Sequence, residues 1–327
     1  MKTAKKPAEF PRPARPAQMK IASKDFLSIL DLTHAELGQV LDLASVMKRD
    51  RATGRLGAQP LARKHVGLLF EKPSLRTRTT FAIAVRELGG EVIEPPADVA
   101  LGGRETPADV ARNLERWVEG VVVRTFAQSS LEAFAAAGTR MHVVNALTDE
   151  EHPCQALADM LTLRERLGKL DGRTIAFVGD GNNVAASLAH AGAMLGMHVR
   201  IASPAGYELP ASVVDAAMSV ARPGGSVTVV NDPVDAVNGA DAIYTDVWAS
   251  MGQEDQADTR ARIFHPYQVN DALMDAAGPD ALFMHCLPAH RGHEVTDSVI
   301  DAESSIVFDQ AENRLHTQKA LLAMLMG

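Results

Sequence analysis

Short apolar, β-branched segments alternate with helix-period segments in two successive runs, and this alternation constrains the fold more than any other feature of the chain. In the first run the apolar segments fall at residues 65–70, 120–126 and 141–146, with helical patterns after Ser74 and after Ser130. A helix opening at Pro153 leads into the second run, whose segments fall at 174–179, 198–203, 226–230, 242–246 and 281–286. Strands that alternate with helices form parallel sheets covered on both faces. The pattern therefore predicts an α/β chain of two doubly wound parallel-sheet domains with the active site in the cleft between them. A length of 327 residues agrees, because it exceeds what one core ordinarily supports. The expected boundaries are a flexible tail at 1–20, a first domain at 21–150 completed by a closing helix in 311–327, and a second domain at 151–310. Thr33-His-Ala-Glu36, with Leu32 and Leu37 placed for a hydrophobic staple, reads as a capping box that starts a helix running to about Arg51.

Composition removes several function classes. The formal net charge of −8 disfavours non-specific nucleic-acid binding. No run of 18 apolar residues occurs and the N-terminus lacks the apolar core of a secretory signal, so the expectation is a cytoplasmic protein with no membrane partner. The prolines within residues 1–20 interrupt any amphipathic helix, which favours a mobile tail over a mitochondrial presequence. Cys154 and Cys286 are the two cysteines, and each reads as a reduced thiol.

The chemistry-bearing residues follow the ends of the expected strands, where open α/β sheets place ligands. Phe70-Glu-Lys-Pro-Ser74-Leu75-Arg76-Thr77-Arg78 runs from a strand into a helix start. There free amides, the hydroxyls of Ser74 and Thr77 and the guanidinium of Arg76 suit a phosphate dianion, although a solvated basic helix start has the same composition. Arg124 ends a buried strand and needs an anionic partner, either a ligand or an internal carboxylate. In His152-Pro-Cys-Gln155 the proline occupies the first helical position, which leaves His152 and Gln155 at the helix start to donate to a carbonyl oxygen, and Cys154 for the core.

Gly179-Asp-Gly181-Asn-Asn183 invites a dinucleotide-binding reading, but Val184 stands where the third glycine belongs and the strand ending at Ser203 lacks the ribose-binding acid. An asparagine cap on the next helix is the other reading. Asp246 ends another strand before Val-Trp-Ala-Ser250-Met251-Gly252, as a ligand or as a turn-forming acid. Cys286 beside His285, with His290 and His293 nearby, allows a zinc reading, but adjacent cysteine and histidine lack the usual ligand spacing, so no metal is expected.

Taken together, Ser74 to Arg78, His152 to Gln155, Asp246 to Gly252 and the tetrapeptide His285-Cys286-Leu287-Pro288 resemble the ornithine carbamoyltransferases of the aspartate/ornithine carbamoyltransferase superfamily, in family order over residues 24–326. The resemblance implies transfer of the carbamoyl group of carbamoyl phosphate to the δ-amine of L-ornithine, giving citrulline and phosphate in arginine metabolism, without a cofactor. It assigns carbamoyl phosphate to Ser74, Leu75, Arg76, Thr77, Arg124, His152, Gln155, Cys286, Leu287 and Arg314. It assigns ornithine to Asn183, Asp246, Ser250 and Met251, and catalysis to Arg76, Arg124, His152 and Cys286. It also implies a homotrimer with shared active sites. Two positions depart from the family pattern: Leu75 stands where a threonine is usual, and Ala100 replaces the glutamine before Leu101-Gly102 in the loop that crosses to a neighbouring subunit. Arg104 is the expected substitute for that lost contact. Other amines, such as an N-acylated ornithine or putrescine, and a non-catalytic family member are the alternatives.

Overall fold

The computed structural model describes residues 19–55, 57–96, 105–249 and 254–327. The tail at residues 1–18, the crossing loop with Ala100 and Arg104, and Ser250 and Met251 lie outside the described residues.

The first sheet contains β1 (His65–Phe70), β2 (Glu91–Ile93), β3 (Gly120–Arg124) and β4 (His142–Leu147), all parallel in the order β2-β1-β3-β4. Helices α1 (His34–Ala52), α2 (Leu75–Glu87), α3 (Pro107–Leu114) and α4 (Gln128–Ala137) accompany it. The second sheet contains β5 (Thr174–Val178), β6 (His198–Ala202), β7 (Ser226–Val230), β8 (Ala242–Thr245) and β9 (Leu282–His285), all parallel in the order β7-β6-β5-β8-β9. Around it lie α6 (Asn183–Met194), α7 (Ala211–Ser219), α8 (Pro233–Val237), α9 (Ala257–Phe264), α10 (Asp271–Ala277) and α11 (Asp297–Ile300), while α5 (Pro153–Leu167) and α12 (Val307–Met326) run between the two sheets.

The winding of each sheet reverses once, between β1 and β3 in the first and between β5 and β8 in the second. Such a reversal sends the flanking loops apart and opens a crevice at the strand ends. Ser74 and Arg124 follow the first reversal, and Asn183 and Asp246 the second.

The two crevices are held face to face by α5 and α12. One apolar core runs from Val66, Val122 and Val144 through Leu157 and Leu161 of α5 to Leu188 of α6 and Ile175 and Phe177 of β5, all buried. Burying roughly 2 kcal/mol of side chain at each such position makes this seam a major part of the fold's stability. Helix α12 packs on α1, α2 and α5, and Asn313 ties it to α5 by donating to Thr162 Oγ1 at 2.9 Å and Glu165 Oε2 at 2.8 Å. Separate clusters fill the outer faces of the sheets, around Leu69, Val121 and Phe134 in the first and Val178, Ile243 and Phe283 in the second.

The capping box forms as the sequence predicts: Thr33 accepts from Glu36 N–H at 3.2 Å, and Glu36 accepts from Thr33 N–H at 2.8 Å. Three elements differ from expectation. Strand β2 has three residues and is half-buried at best, too short to give a period. Helices α4 and α12 begin at Gln128 and Val307, upstream of the expected starts, and neither has the side-chain cap that would mark its first turn.

Candidate active site

A cavity of about 1090 Å³ lies between the two crevices and is lined by residues from both. On the first side, Ser74 caps α2 by accepting from Thr77 N–H at 3.2 Å. That bond uses an oxygen lone pair and leaves the Ser74 hydroxyl proton free to donate. Arg314 reaches over from α12 and donates to Thr77 Oγ1, which likewise leaves the threonine proton available. A register shift between Val123 and Arg124 against β4 re-aims the end of β3, and Arg124 lines the cavity.

Arg76, Arg124 and Arg314 therefore converge at one end of the cavity, and none of the three forms an ion pair among the described residues. Nε of Arg124 and of Arg314 is buried without a partner. Burial, and then the nearby Arg314, push the Arg124 guanidinium down to about 10, and burial also lowers Arg76 and Arg314. Three mutually repelling cations held without carboxylates form a site for a polyanion, since an uncompensated buried charge is otherwise costly.

His152 sits at the start of α5, 5% exposed, with Nδ1 unpartnered. Burial, then Arg314, Arg124 and Arg76, hold the imidazole well below its ordinary range, so it is neutral and acts as a hydrogen-bonding group without adding a fourth charge. Gln155 lies behind this wall rather than on it, and its Nε2 donates to Asp159 Oδ1 at 2.8 Å. Leu75 lines the cavity and is 78% exposed, so the aliphatic side chain covers nothing.

The other end is built differently. Asp246 is buried, and its carboxylate accepts from Asn182 Nδ2 and from Cys286 Sγ, both at 2.9 Å. Burial, then the Asp246 charge, push the Cys286 thiol well above its usual range, so it is a neutral donor and not a thiolate nucleophile. His285 Nδ1 accepts the Leu287 N–H at 2.8 Å, which puts the ring proton on Nε2, facing Glu294 at 3.3 Å. That bond holds Leu287 at φ +58, a left-handed conformation costly for a leucine. Ligand atoms of Asp246, His285 and Cys286 lie within 4.8 Å of one another. Both His285 nitrogens are already engaged, however, and His290 and His293 are not part of this group, so it differs from the set a zinc reading would use.

The glycine turn after β5 serves backbone packing. A Cβ on Gly181 would fall 2.2 Å from Leu209 N, a contact that no side chain tolerates. Asn182, not Asn183, caps α6, accepting from Val184 N–H at 3.0 Å. Asn183 lines the cavity while donating to the Thr148 carbonyl across the cleft. Sequence reasoning missed two cavity-lining cations. Lys72 is buried, paired with Asp149 at 2.6 Å and lying 4.1 Å from the Phe126 ring. Arg260 of α9 donates to Asp180 at 2.7 Å and to the Trp248 carbonyl at 2.8 Å, and stacks over Tyr207. The local sequence around Lys72 held a clue, a lysine at a strand end, whereas Arg260 lies on a short helix with no motif.

Comparison with known proteins places this geometry. Residues 24–165 match the family model described as aspartate/ornithine carbamoyltransferase, carbamoyl-P binding domain, and residues 171–325 match its Asp/Orn binding domain. The ornithine carbamoyltransferase of Synechocystis sp. is 49% identical over 308 residues, covering 94% of this chain and 98% of that one. The enzyme of that name from Symbiobacterium thermophilum is 50% identical over 309 residues, with 94% and 99% covered. Among solved structures, the ornithine carbamoyltransferase of Pyrococcus furiosus superposes with a TM-score of 0.90 at 47% identity, covering 94% of this chain and 98% of that one.

Proposed function

The chain belongs to the aspartate/ornithine carbamoyltransferase family, and from that premise we propose that it transfers the carbamoyl group of carbamoyl phosphate to the δ-amine of L-ornithine, yielding L-citrulline and phosphate. One observation carries the reading: three guanidiniums that form no ion pair among the described residues face a carboxylate across a single cavity. A phosphate-bearing donor fits one end and an ammonium-bearing acceptor the other. Residues 21–150 with 311–327 form the carbamoyl phosphate half in this reading, 151–310 the ornithine half, and 1–20 a tail.

Carbamoyl phosphate binds with its phosphate on the first turn of α2, where Ser74, the Leu75 amide, Arg76 and Thr77 meet it with Arg124 and Arg314. Arg76, Arg124 and the neutral His152 stabilise negative charge as it builds on the carbonyl and phosphate oxygens. Ornithine enters with its α-ammonium on Asp246 and its α-carboxylate toward Asn183, Ser250 and Met251. The neutral δ-nitrogen attacks the carbamoyl carbon beside Cys286 and Leu287; a C–N bond forms, the C–O bond to phosphate breaks with its electron pair leaving on phosphate, and the nitrogen sheds a proton. No cofactor enters, because phosphate is the leaving group.

The assembly in this reading is a cytoplasmic homotrimer with sites completed by a neighbour, where Arg104 reaches the carbamoyl phosphate of the adjacent subunit. Among the described residues no helix is long and apolar enough to cross a membrane. Citrulline formation, measured with ornithine, N-acetylornithine, putrescine and aspartate in parallel, tests the function; ornithine is expected to have the highest kcat/KM, and comparable values for another amine reject the assignment. Light scattering on the intact chain tests the trimer.

A further inference from the structure

The backbone that delivers His152 to the cavity is gripped by a helix that belongs to the second sheet. His152 stands between β4 and α5 at φ −127 and ψ 64, outside both the strand ladder and the helix, so its N–H needs a partner from elsewhere. The Ser187 hydroxyl oxygen of α6 accepts that N–H at 2.9 Å, and the hydroxyl proton goes to Glu151 Oε2 at 2.8 Å. A carboxylate only accepts, so Glu151 fixes the direction of the hydroxyl and keeps an oxygen lone pair turned toward His152. Glu151 is itself held in place. It is buried, accepts also from the Ser28 hydroxyl and from Ile29 N–H at 3.4 Å, and has His190 Nδ1 of α6 3.3 Å away. The same helix takes the turn at its other end, where Asn183 Nδ2 donates to the Thr148 carbonyl at 2.5 Å. Thr148 and Glu151 close the turn between them, with Thr148 N–H on the Glu151 carbonyl at 2.9 Å and Glu151 N–H on Thr148 Oγ1 at 3.2 Å. Asn183 and Ser187 share a face of α6 by their i,i+4 spacing. Both Asn183 and His152 line the cavity, so this grip acts directly on its wall.

We propose that Ser187 is a positioning residue that sets the His152 ring against the carbamoyl oxygen and acts on the reaction only through that histidine. The inference rests on the carbamoyl transfer proposed above. The carbonyl of His152 is anchored by its own helix, through Gln155 N–H at 3.0 Å, so the N–H is the end of the residue whose placement depends on another element. Fixing it fixes the Cα–Cβ direction and hence where the ring stands in the cavity. Phosphate binding draws instead on Arg76, Arg124 and Arg314, which stand on α2, β3 and α12. A hydroxyl that merely satisfied a buried N–H would contribute to folding whatever side chain stood at position 152, and this separates the two roles by experiment.

The test is a double-mutant cycle on the intact chain, with kcat from citrulline formation at saturating substrates and the affinity for inorganic phosphate measured alongside. His152→Ala is expected to lower kcat about 100-fold, the loss typical of one donor to a developing oxyanion. Ser187→Ala removes the acceptor and the donor together, and is expected to lower kcat about 10-fold while His152 is present, the order of cost for a misplaced catalytic group. In the His152→Ala background the same change is expected to cost less than about twofold, because no ring remains to be positioned. Phosphate affinity is expected to stay within about twofold of the wild type throughout the cycle. Glu151→Gln, whose amide can turn the Ser187 hydroxyl away from His152, is expected to lower kcat about threefold with the same dependence on His152, and it carries the cycle if Ser187→Ala does not fold. An equal factor in both backgrounds, or an unchanged kcat in Ser187→Ala, overturns the role of Ser187 and leaves the function standing on the citrulline made by the wild type. A wild type that forms no citrulline rejects the function and this inference with it.

Discussion

The two ends of the cavity treat charge in opposite ways. At the phosphate end Arg76, Arg124 and Arg314 carry charges that no described carboxylate answers, and burial and mutual repulsion depress Arg124 to about 10. At the amine end every described charge has a partner: Asp246 accepts from Asn182 and Cys286, and Asp180 pairs with Arg260. The first end is strained until an anion arrives, while the second is already satisfied and must exchange its bonds for substrate. The difference favours an order in which carbamoyl phosphate binds first, relieving the cations, and ornithine second, at the end that holds Asp246 and a neutral thiol.

The sharpest way to break this comparison is at the stronger end. Arg76→Ala removes a guanidinium and its contact at the helix start together, and is expected to lower kcat/KM for carbamoyl phosphate about 10³-fold. Steady-state kinetics near the wild-type values would show that Arg76 is only a solvated helix-start residue. Asp246→Asn probes the other end, with an expected loss of about 100-fold in kcat/KM for ornithine, the size of a charge-assisted hydrogen bond. Carbamoyl phosphate affinity should hold. If that variant weakens both substrates alike, the two ends are not separable and Asp246 acts through Cys286 on the carbamoyl group.

How much of this was readable beforehand follows the same division. The parallel sheets were legible because segments such as 120–126 and 226–230 are rich in β-branched residues, bounded and alternate with helices, and the phosphate end because its parts lie within a few residues of one strand end. Arg124 was suspect for a single reason, a charge closing the buried run Gly120-Val-Val-Val, and no carboxylate among the described residues pairs with it. The amine end was less legible because it is assembled by tertiary contacts. Nothing in the local sequence announces that Arg260 of α9 bonds to Asp180 beyond β5, or that Asn182 rather than Asn183 caps α6 and reaches Asp246. The donor direction of Gln155 was similarly hidden, since Asp159 and Gln310 meet only when α5 and α12 pack.

A milder test compares the ends by ligand-linked stability, with no substitution. Inorganic phosphate occupies the cation end alone, and a ligand present at 100 times its dissociation constant stabilises the folded state by about 2.7 kcal/mol. Melting curves of the intact chain should therefore rise by several degrees with phosphate and hardly at all with ornithine alone. Equal shifts for the two, or a shift for ornithine only, contradict the idea that the phosphate end is the unsatisfied one.

The smallest expected effect concerns Leu75, where the phosphate end departs from its family. The residue occupies the first position of α2 next to Ser74 and is 78% exposed, so its side chain contributes no burial that a polar replacement would lose. Threonine there would add one hydroxyl donor beside the phosphate without altering the backbone amide, and the first turn of a helix tolerates its branched side chain. One additional hydrogen bond contributes about 0.5–1.5 kcal/mol net, which corresponds to roughly a 2- to 12-fold tighter hold on carbamoyl phosphate. Leu75→Thr should therefore lower the KM for carbamoyl phosphate by a factor in that range and leave the KM for ornithine unchanged, because the amine end draws on different groups. A variant that shifts the ornithine KM instead would place residue 75 against the acceptor, and one that shifts neither would mean that the amides and guanidiniums already saturate the phosphate oxygens.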